Sequence, residues 1–236
     1  MSGEFFDMTS RYAFYFSPPT ASPLGAFGAS WLGRTIEGQD LGPPVLTDIS
    51  TAVWRAATAA PRTYGFHATL RPPFRLASAY TEDDLISDLK AFCAQTAPVG
   101  LGDLKLARLA GFLALTPAHK DAIGRLAAEI IRHFDRYRPP LSPEEITRRR
   151  PDTLTTTQRA LLNRWGYPYV MGEFRFHITL TGKLSCAETY LFEKELETRY
   201  QPVLEHPISI DSICVLRQRT PESDFVAMGR YPLGSG

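Results

Sequence analysis

Phe66-His67-Ala68-Thr69-Leu70 and Phe176-His177-Ile178-Thr179-Leu180 are one pentapeptide, differing only at the third residue and placed once in each half of the chain. Side chains on a β-strand alternate between its two faces. On that reading Phe66, Ala68 and Leu70 share an apolar face, as do Phe176, Ile178 and Leu180, and both faces call for a core. The opposite faces carry Gly65, His67, Thr69 and Arg71 in one copy. In the other they carry Glu173, Arg175, His177, Thr179, Thr181 and Lys183. One polar stripe of this kind suits any half-buried strand. The same histidine and threonine in the same order, twice, point to shared chemistry.

Residues i and i+2 of a strand stand about 6.5–7 Å apart, so an imidazole and a hydroxyl from one motif can reach one tetrahedral anion. Threonine is stiff at χ1 and holds its hydroxyl in place. Histidine, with an ordinary pKa of about 6.5, accepts or donates a proton near neutral pH. Two such motifs facing each other across a phosphate divide the work. One histidine takes a proton from the attacking water or hydroxyl, and the other gives one to the leaving oxygen. Thr69 and Thr179 bind the non-bridging oxygens as charge builds on them. This scheme uses no metal or cofactor, and the sequence contains no HExxH and no Cys/His cluster of zinc-site spacing.

Outward from the motifs, the aromatic run at residues 11–17 predicts a buried strand ended by Pro18-Pro19. Ser22-Pro23 predicts a helix start, running to about residue 36. Residues 47–58 carry only a weak helical pattern. The first motif strand is expected at 64–70, interrupted by Pro72-Pro73 before 74–77. A helix at 81–95, strands at 104–109 and 111–115 and a helix at 118–136 follow; in the last, Ile123, Leu126, Ala127, Ile130, Ile131 and Phe134 recur at helical spacing. The second motif strand is expected at 173–183, then a helix at 187–200 and strands at 208–217 and 225–231. Strands and helices thus recur in both halves, which predicts an α+β fold of two similar lobes, each an antiparallel sheet backed by helices.

Residues 139–168 interrupt this pattern as an insert with two short helices, at 143–150 and 155–165. Arg148-Arg149-Arg150, Arg159 and Arg164 make it locally basic. It reads as a solvated helical face, the alternative being a lid that brings charge over a phosphate. Arg175 and Arg71 share the motif faces and are candidate phosphate contacts, with a sheet-edge ion pair as the alternative. Tyr15 and Tyr64 are candidates to stack on a base or sugar, against core packing. His119, His133 and His206 read as solvated or capping residues.

The 236 residues suffice for a single domain over 9–236 with a real core. The net charge of +1 gives no general pull toward nucleic acid or an anionic membrane, so any anion site is local. Three scattered cysteines, Cys93, Cys186 and Cys214, form no CxxC pair and fit a reducing cytoplasm. Residues 1–8, with Glu4 and Asp7, lack the pattern of a signal peptide and read as a leader or cloning remnant, with Met8 a second start. No apolar stretch is long enough to span a bilayer, and no obligate protein partner is indicated.

The paired motifs His67-Ala68-Thr69 and His177-Ile178-Thr179 resemble the signature of the two-histidine phosphoesterases, which include LigT-like RNA ligase/cyclic phosphodiesterases. That resemblance implies two pseudo-symmetric lobes with the motifs lining a central cleft. The stretches RYAFYFSP, TYGFHATLRPPFRLA and RWGYPYVMGEFRFHITLTGKL are similar to a branch associated with phosphonate metabolism. The association links it to carbon–phosphorus lyase pathways, whose intermediates include a ribosyl cyclic phosphate. The expected activity is therefore a metal-independent phosphoesterase on a cyclic phosphate or diester of a small sugar or nucleotide. Alternatives are an RNA 2′,3′-cyclic phosphodiesterase or 2′-5′ ligase-like enzyme, which needs a longer basic groove, and a non-catalytic nucleotide-binding module.

Overall fold

A computed structural model describes residues 10–200, 203 and 207–234 of the chain; the expected leader at residues 1–8 and His206 lie outside them. The aromatic run forms β1 (Arg11–Phe16). Ser22 then caps α1 (Pro23–Leu32), its side chain accepting from the Gly25 amide with Pro23 in the first turn. The helix ends earlier than its apolar pattern suggests because Gly33 takes the left-handed conformation, φ 68°. Ser50 caps α2 (Thr51–Tyr64), which runs through Pro61 over a stretch whose pattern is weak.

The first motif leads into β2 (Ala68–Arg75), which continues through Pro72-Pro73 rather than stopping there. Two features make this tolerable. The neighbour on its outer side, β6 (Ile178–Thr179), reaches only Ala68, so beyond it that edge carries no ladder among the described residues for a proline to break. On the inner side the pairing with β1 is irregular, Tyr12 facing Phe74 while Phe14 faces Arg71.

Next come α3 (Glu82–Ala94), opened by a capping box between Thr81 and Asp84, β3 (Val99–Gly100), and the hairpin of β4 (Leu104–Leu109) and β5 (Phe112–Pro117). In α4 (Asp121–Phe134) all six apolar residues of the expected stripe are buried, each larger one worth roughly 1.5–3 kcal/mol. The basic stretch contains α5 (Pro143–Arg148) and α6 (Thr156–Trp165), both with capping boxes. The chain ends with α7 (Cys186–Tyr200), β7 (Ser209–Ile210), β8 (Ser212–Gln218) and β9 (Val226–Pro232).

The fold is a mixed α/β arrangement, an antiparallel sheet backed by helices. Seven strands lie in the order β4-β5-β6-β2-β1-β8-β9, with every neighbouring pair antiparallel, and β3 pairs separately with β7. The strands expected in two lobes are thus continuous in one sheet, and each flank of the β6–β2 seam draws strands from both halves of the chain. One face carries the large core, where Phe14, Leu70 and Ile178 meet Leu89 of α3, Phe134 of α4 and Phe192 of α7. The other face carries a small cluster of Ala13, Tyr15, Ile36, Cys214, Leu216 and Phe225. No helix among the described residues is long and apolar enough to cross a membrane.

Candidate active site

The first motif is held by the turn before it. Tyr64 ends α2 instead of opening a strand, and Gly65 follows at φ 75°, ψ 176°, a conformation that favours glycine. A Cβ there would stand 2.5 Å from Ile36 Cδ1. The Ser17 hydroxyl donates to the Phe66 carbonyl at 2.8 Å, tying the turn to the end of β1. Arg34, only 2% exposed, donates to the Arg62 carbonyl at 3.0 Å and to the Phe225 carbonyl, and pairs with Asp224 at 3.0 Å. It therefore braces the end of α2 against the segment leading into β9.

His67 emerges at the mouth of β2. Its Nδ1 lies 2.8 Å from the Gly65 carbonyl oxygen. A carbonyl only accepts, so Nδ1 carries the proton and the neutral ring keeps its lone pair on Nε2, 3.3 Å from Thr69 Oγ1. The Tyr15 ring stacks on the imidazole, with centroids 3.8 Å apart and planes at 23°. Burial, reinforced by the nearby His177 and only partly offset by the Gly65 hydrogen bond, lowers the His67 pKa to about 4.

His177 repeats the arrangement. Its Nδ1 lies 2.8 Å from the Arg175 carbonyl oxygen, and Phe112 flanks the ring at 5.7 Å. The strand expected over 173–183 is reduced to β6, because Met171–Glu173 forms a 3-10 turn and Phe174 to His177 pair with no strand. Elsewhere β6 is well anchored. The Trp31 indole donates to the Leu180 carbonyl at 2.8 Å, and Thr181 accepts from the Leu113 amide at 3.0 Å.

The two motifs meet at one bridge. Ala68 lies opposite Ile178 in an antiparallel pair, so one step out on either side His67 stands beside Thr179 and Thr69 beside His177. Side chains directly opposite have Cβ atoms about 4.5–5.5 Å apart and diagonal ones about 7–8 Å. Both histidines and both threonines therefore lie on one small patch of sheet, away from the large core that Phe66, Ala68, Phe176 and Ile178 enter. All four are half-buried.

The remaining sequence candidates are placed differently. Arg175 is exposed, and its backbone rather than its side chain serves His177. Tyr15 is buried behind His67. Tyr64 stacks on Phe225 at 5.1 Å and lies 6.0 Å from His67. Arg71 leaves the motif face. Between Phe14 and Tyr15 the partner on β2 jumps from Arg71 to Thr69, a bulge that reverses the alternation beyond Thr69. Arg71 thus points to the helix side, where its guanidinium lies over Phe74 at 4.2 Å and reaches the Ile131 carbonyl at 3.3 Å. His119 is exposed, and His133 pairs with Asp88 at 2.9 Å. Phe112, which flanks His177, and Phe225, which backs Tyr15 and Tyr64, carry no local sequence signal because they arrive from distant parts of the chain. Among the described residues no three His, Cys, Asp or Glu side chains gather closely enough to hold a metal ion.

The profile of a family described as "Protein of unknown function (DUF1045)" matches residues 69–226. Two curated proteins, both named "Ribose 1,5-bisphosphate phosphokinase PhnN", are similar to the chain. That of Janthinobacterium sp. (strain Marseille) is 38% identical over 229 residues, 94% of this chain and 51% of that protein. That of Laribacter hongkongensis (strain HLHK9) is 36% identical over 203 residues, 84% of this chain and 46% of that protein. The chain spans about half the length of the curated relatives it matches. Its 236 residues contain no GxxxxGK[ST] stretch, the glycine-rich loop with which P-loop enzymes cradle nucleotide phosphates.

Proposed function

The chain belongs to the family described as protein of unknown function (DUF1045), and from that premise we propose that it is a two-histidine phosphoesterase. Its substrate would be a cyclic phosphate or phosphodiester of a small sugar or nucleotide, in phosphonate metabolism. The names of the relatives point to a phosphorylated ribose as the sugar, which agrees with the ribosyl cyclic phosphate implied by the similarity to the branch associated with phosphonate metabolism. The observation that carries the reading is the bridge between Ala68 and Ile178, which sets each histidine beside the threonine of the other motif. The β6–β2 seam would be the pseudo-twofold axis, and the patch over it the floor of the cleft.

In this mechanism the phosphate sits over the seam, with its non-bridging oxygens accepting from the Thr69 and Thr179 hydroxyls. His67, held neutral by burial, takes a proton from the attacking water through Nε2. Oxygen bonds to phosphorus as the bond to the leaving sugar oxygen breaks, and His177, protonated, gives that oxygen its proton. The product is a phosphomonoester, and one proton returned from His67 to His177 through water restores the start. Both Nδ1–H bonds to carbonyls persist throughout and keep the two rings oriented.

The test is a panel of cyclic phosphates, with ribosyl 1,2-cyclic phosphate and 2′,3′-cyclic nucleotides included, assayed with EDTA present. Turnover that is lost in both His67→Ala and His177→Ala supports the reading. Wild-type activity in either variant ends it. Binding without product would mark a nucleotide-binding module instead. An RNA-end substrate would show a steep loss of affinity with salt, whereas a small cyclic phosphate would not. Arg164 counts against a long basic groove, since it is engaged with Asp135 at 2.9 Å and with the Trp165 ring at 4.0 Å.

A further inference from the structure

Beyond Ala68 the outer edge of β2 borders a cavity of about 630 Å³, roofed by the segment from Pro139 to Arg149 and by Trp165-Gly166. Its wall is strongly cationic. Arg11, Arg71, Arg75, Arg138, Arg148 and Arg149 line it, against the carboxylates of Glu144 and Glu145. Several of these guanidinium groups are already engaged. Glu145 forms a two-pronged ion pair with Arg75, at 3.0 and 2.9 Å, Arg138 pairs with Asp135 at 3.0 Å, and Arg11 donates to the Gln218 side chain at 2.8 Å.

Arg71, Arg148 and Arg149 are not engaged in this way, and of the three Arg71 alone is buried. Arg71 is 2% exposed, and its Nε is buried with no hydrogen-bond partner among the described residues. Its guanidinium has five N–H donors, a single 3.3 Å bond to the Ile131 carbonyl and the face of Phe74. A buried cation left short of partners is costly unless an anion joins it. Arg149 lies on the same cavity wall, its guanidinium over the Tyr167 ring at 4.8 Å, and it forms no ion pair among the described residues.

We propose that this cavity, whose lining includes no histidine or threonine of the two motifs, is a phosphoryl-anion site with Arg71 as its buried anchor and Arg149 closing on it from the basic insert. A phosphoryl group has three terminal oxygens and can accept from several guanidinium forks together, where a carboxylate is satisfied by one. The volume lies in the range of small-molecule pockets and leaves room for a body attached to the phosphate. The inference stands on the surroundings of Arg71 and does not depend on the two-histidine reading.

The experiment uses the full chain carrying His67→Ala, Thr69→Val, His177→Ala and Thr179→Val, so that any phosphate bound at the motifs is out of play. Inorganic phosphate, at ionic strength held constant with chloride, is expected to raise the melting temperature saturably. Arg71→Met and Arg149→Gln, each added to that background, are expected to weaken the apparent affinity at least tenfold. Arg149 lies on the insert, so its variant reports even if Arg71→Met fails to fold. The inference is overturned if phosphate gives no saturable shift, or if Arg149→Gln or a folded Arg71→Met binds it as tightly as the parent. Glycerol 3-phosphate distinguishes the sources. Affinity tenfold above that of phosphate identifies the head of a phosphomonoester, and equal affinity identifies free phosphate; both support the site.

Discussion

His67 and His177 make the same hydrogen bond at the same length: each Nδ1 stands 2.8 Å from the carbonyl oxygen two residues earlier, Gly65 in one motif and Arg175 in the other. The repeat in sequence is thus a repeat in orientation. Each ring is fixed by its own chain through Nδ1, and Nε2 is the nitrogen that this bond leaves over. The surroundings differ. His67 has Tyr15 against its face, whereas His177 has Phe112 tilted beside it.

That difference has a measurable consequence for stability. In the unfolded chain His67 takes up a proton near the ordinary 6.5, and in the folded protein near 4. Between those values the unfolded state binds more protons, so stability falls as pH drops from above 6.5 to about 4 and this contribution then levels off. The loss is at most on the order of 3 kcal/mol. Urea unfolding of wild type and His67→Gln at pH 7.5 and pH 4.5 isolates it: the gap between the two proteins should narrow or reverse at the lower pH. An NMR titration placing His67 near 6.5 would refute the premise.

The Tyr15 ring keeps water from one face of His67. Tyr15→Leu is expected to cost about 1–3 kcal/mol of stability through lost packing. It should also move the His67 titration upward toward 6.5 and lower kcat roughly tenfold or more, since the ring is no longer held in plane. A variant with an unchanged His67 titration and full activity would reduce Tyr15 to core filling.

Much of this was legible in advance. The repeated pentapeptide marks both histidines and threonines, the apolar spacing of residues 123–134 marks α4, and Ser22 and Thr81 mark helix starts that the structure places there. What was hidden depends on pairing between distant segments. Alternation puts Arg71 with His67, and only the bulge against Phe14 and Tyr15 turns it to the helix side. Pro72-Pro73 reads as a break until the free edge of β2 is known. The stacking of Tyr15 on His67 joins residues whose strands pair only in the fold, and no local pattern reports it.

Gly65 is expected to be more sensitive than its place in a turn suggests. At φ 75° an added Cβ is strained and meets Ile36 Cδ1, so Gly65→Ala should cost about 1–3 kcal/mol. The same residue supplies the carbonyl that holds His67. Activity should therefore fall further than stability accounts for, when both are measured below the melting transition. Activity tracking the folded fraction alone would show that the turn does not set the ring.

If the two histidines act on one phosphate, removing both should do little more harm than removing one. His67→Ala and His177→Ala each delete half of a proton relay, and what survives in either variant is binding and charge stabilisation by Thr69 and Thr179. Such residual rates are shared, and groups that work as a unit are strongly non-additive. The double variant is therefore expected to fall within about tenfold of the slower single variant, each single lying at least about 10³-fold below wild type. Two independent sites would instead multiply their losses. Full multiplication, measured as kcat on one cyclic phosphate with folding verified for all three variants, would mean that the motifs meet at the Ala68–Ile178 bridge without sharing a substrate.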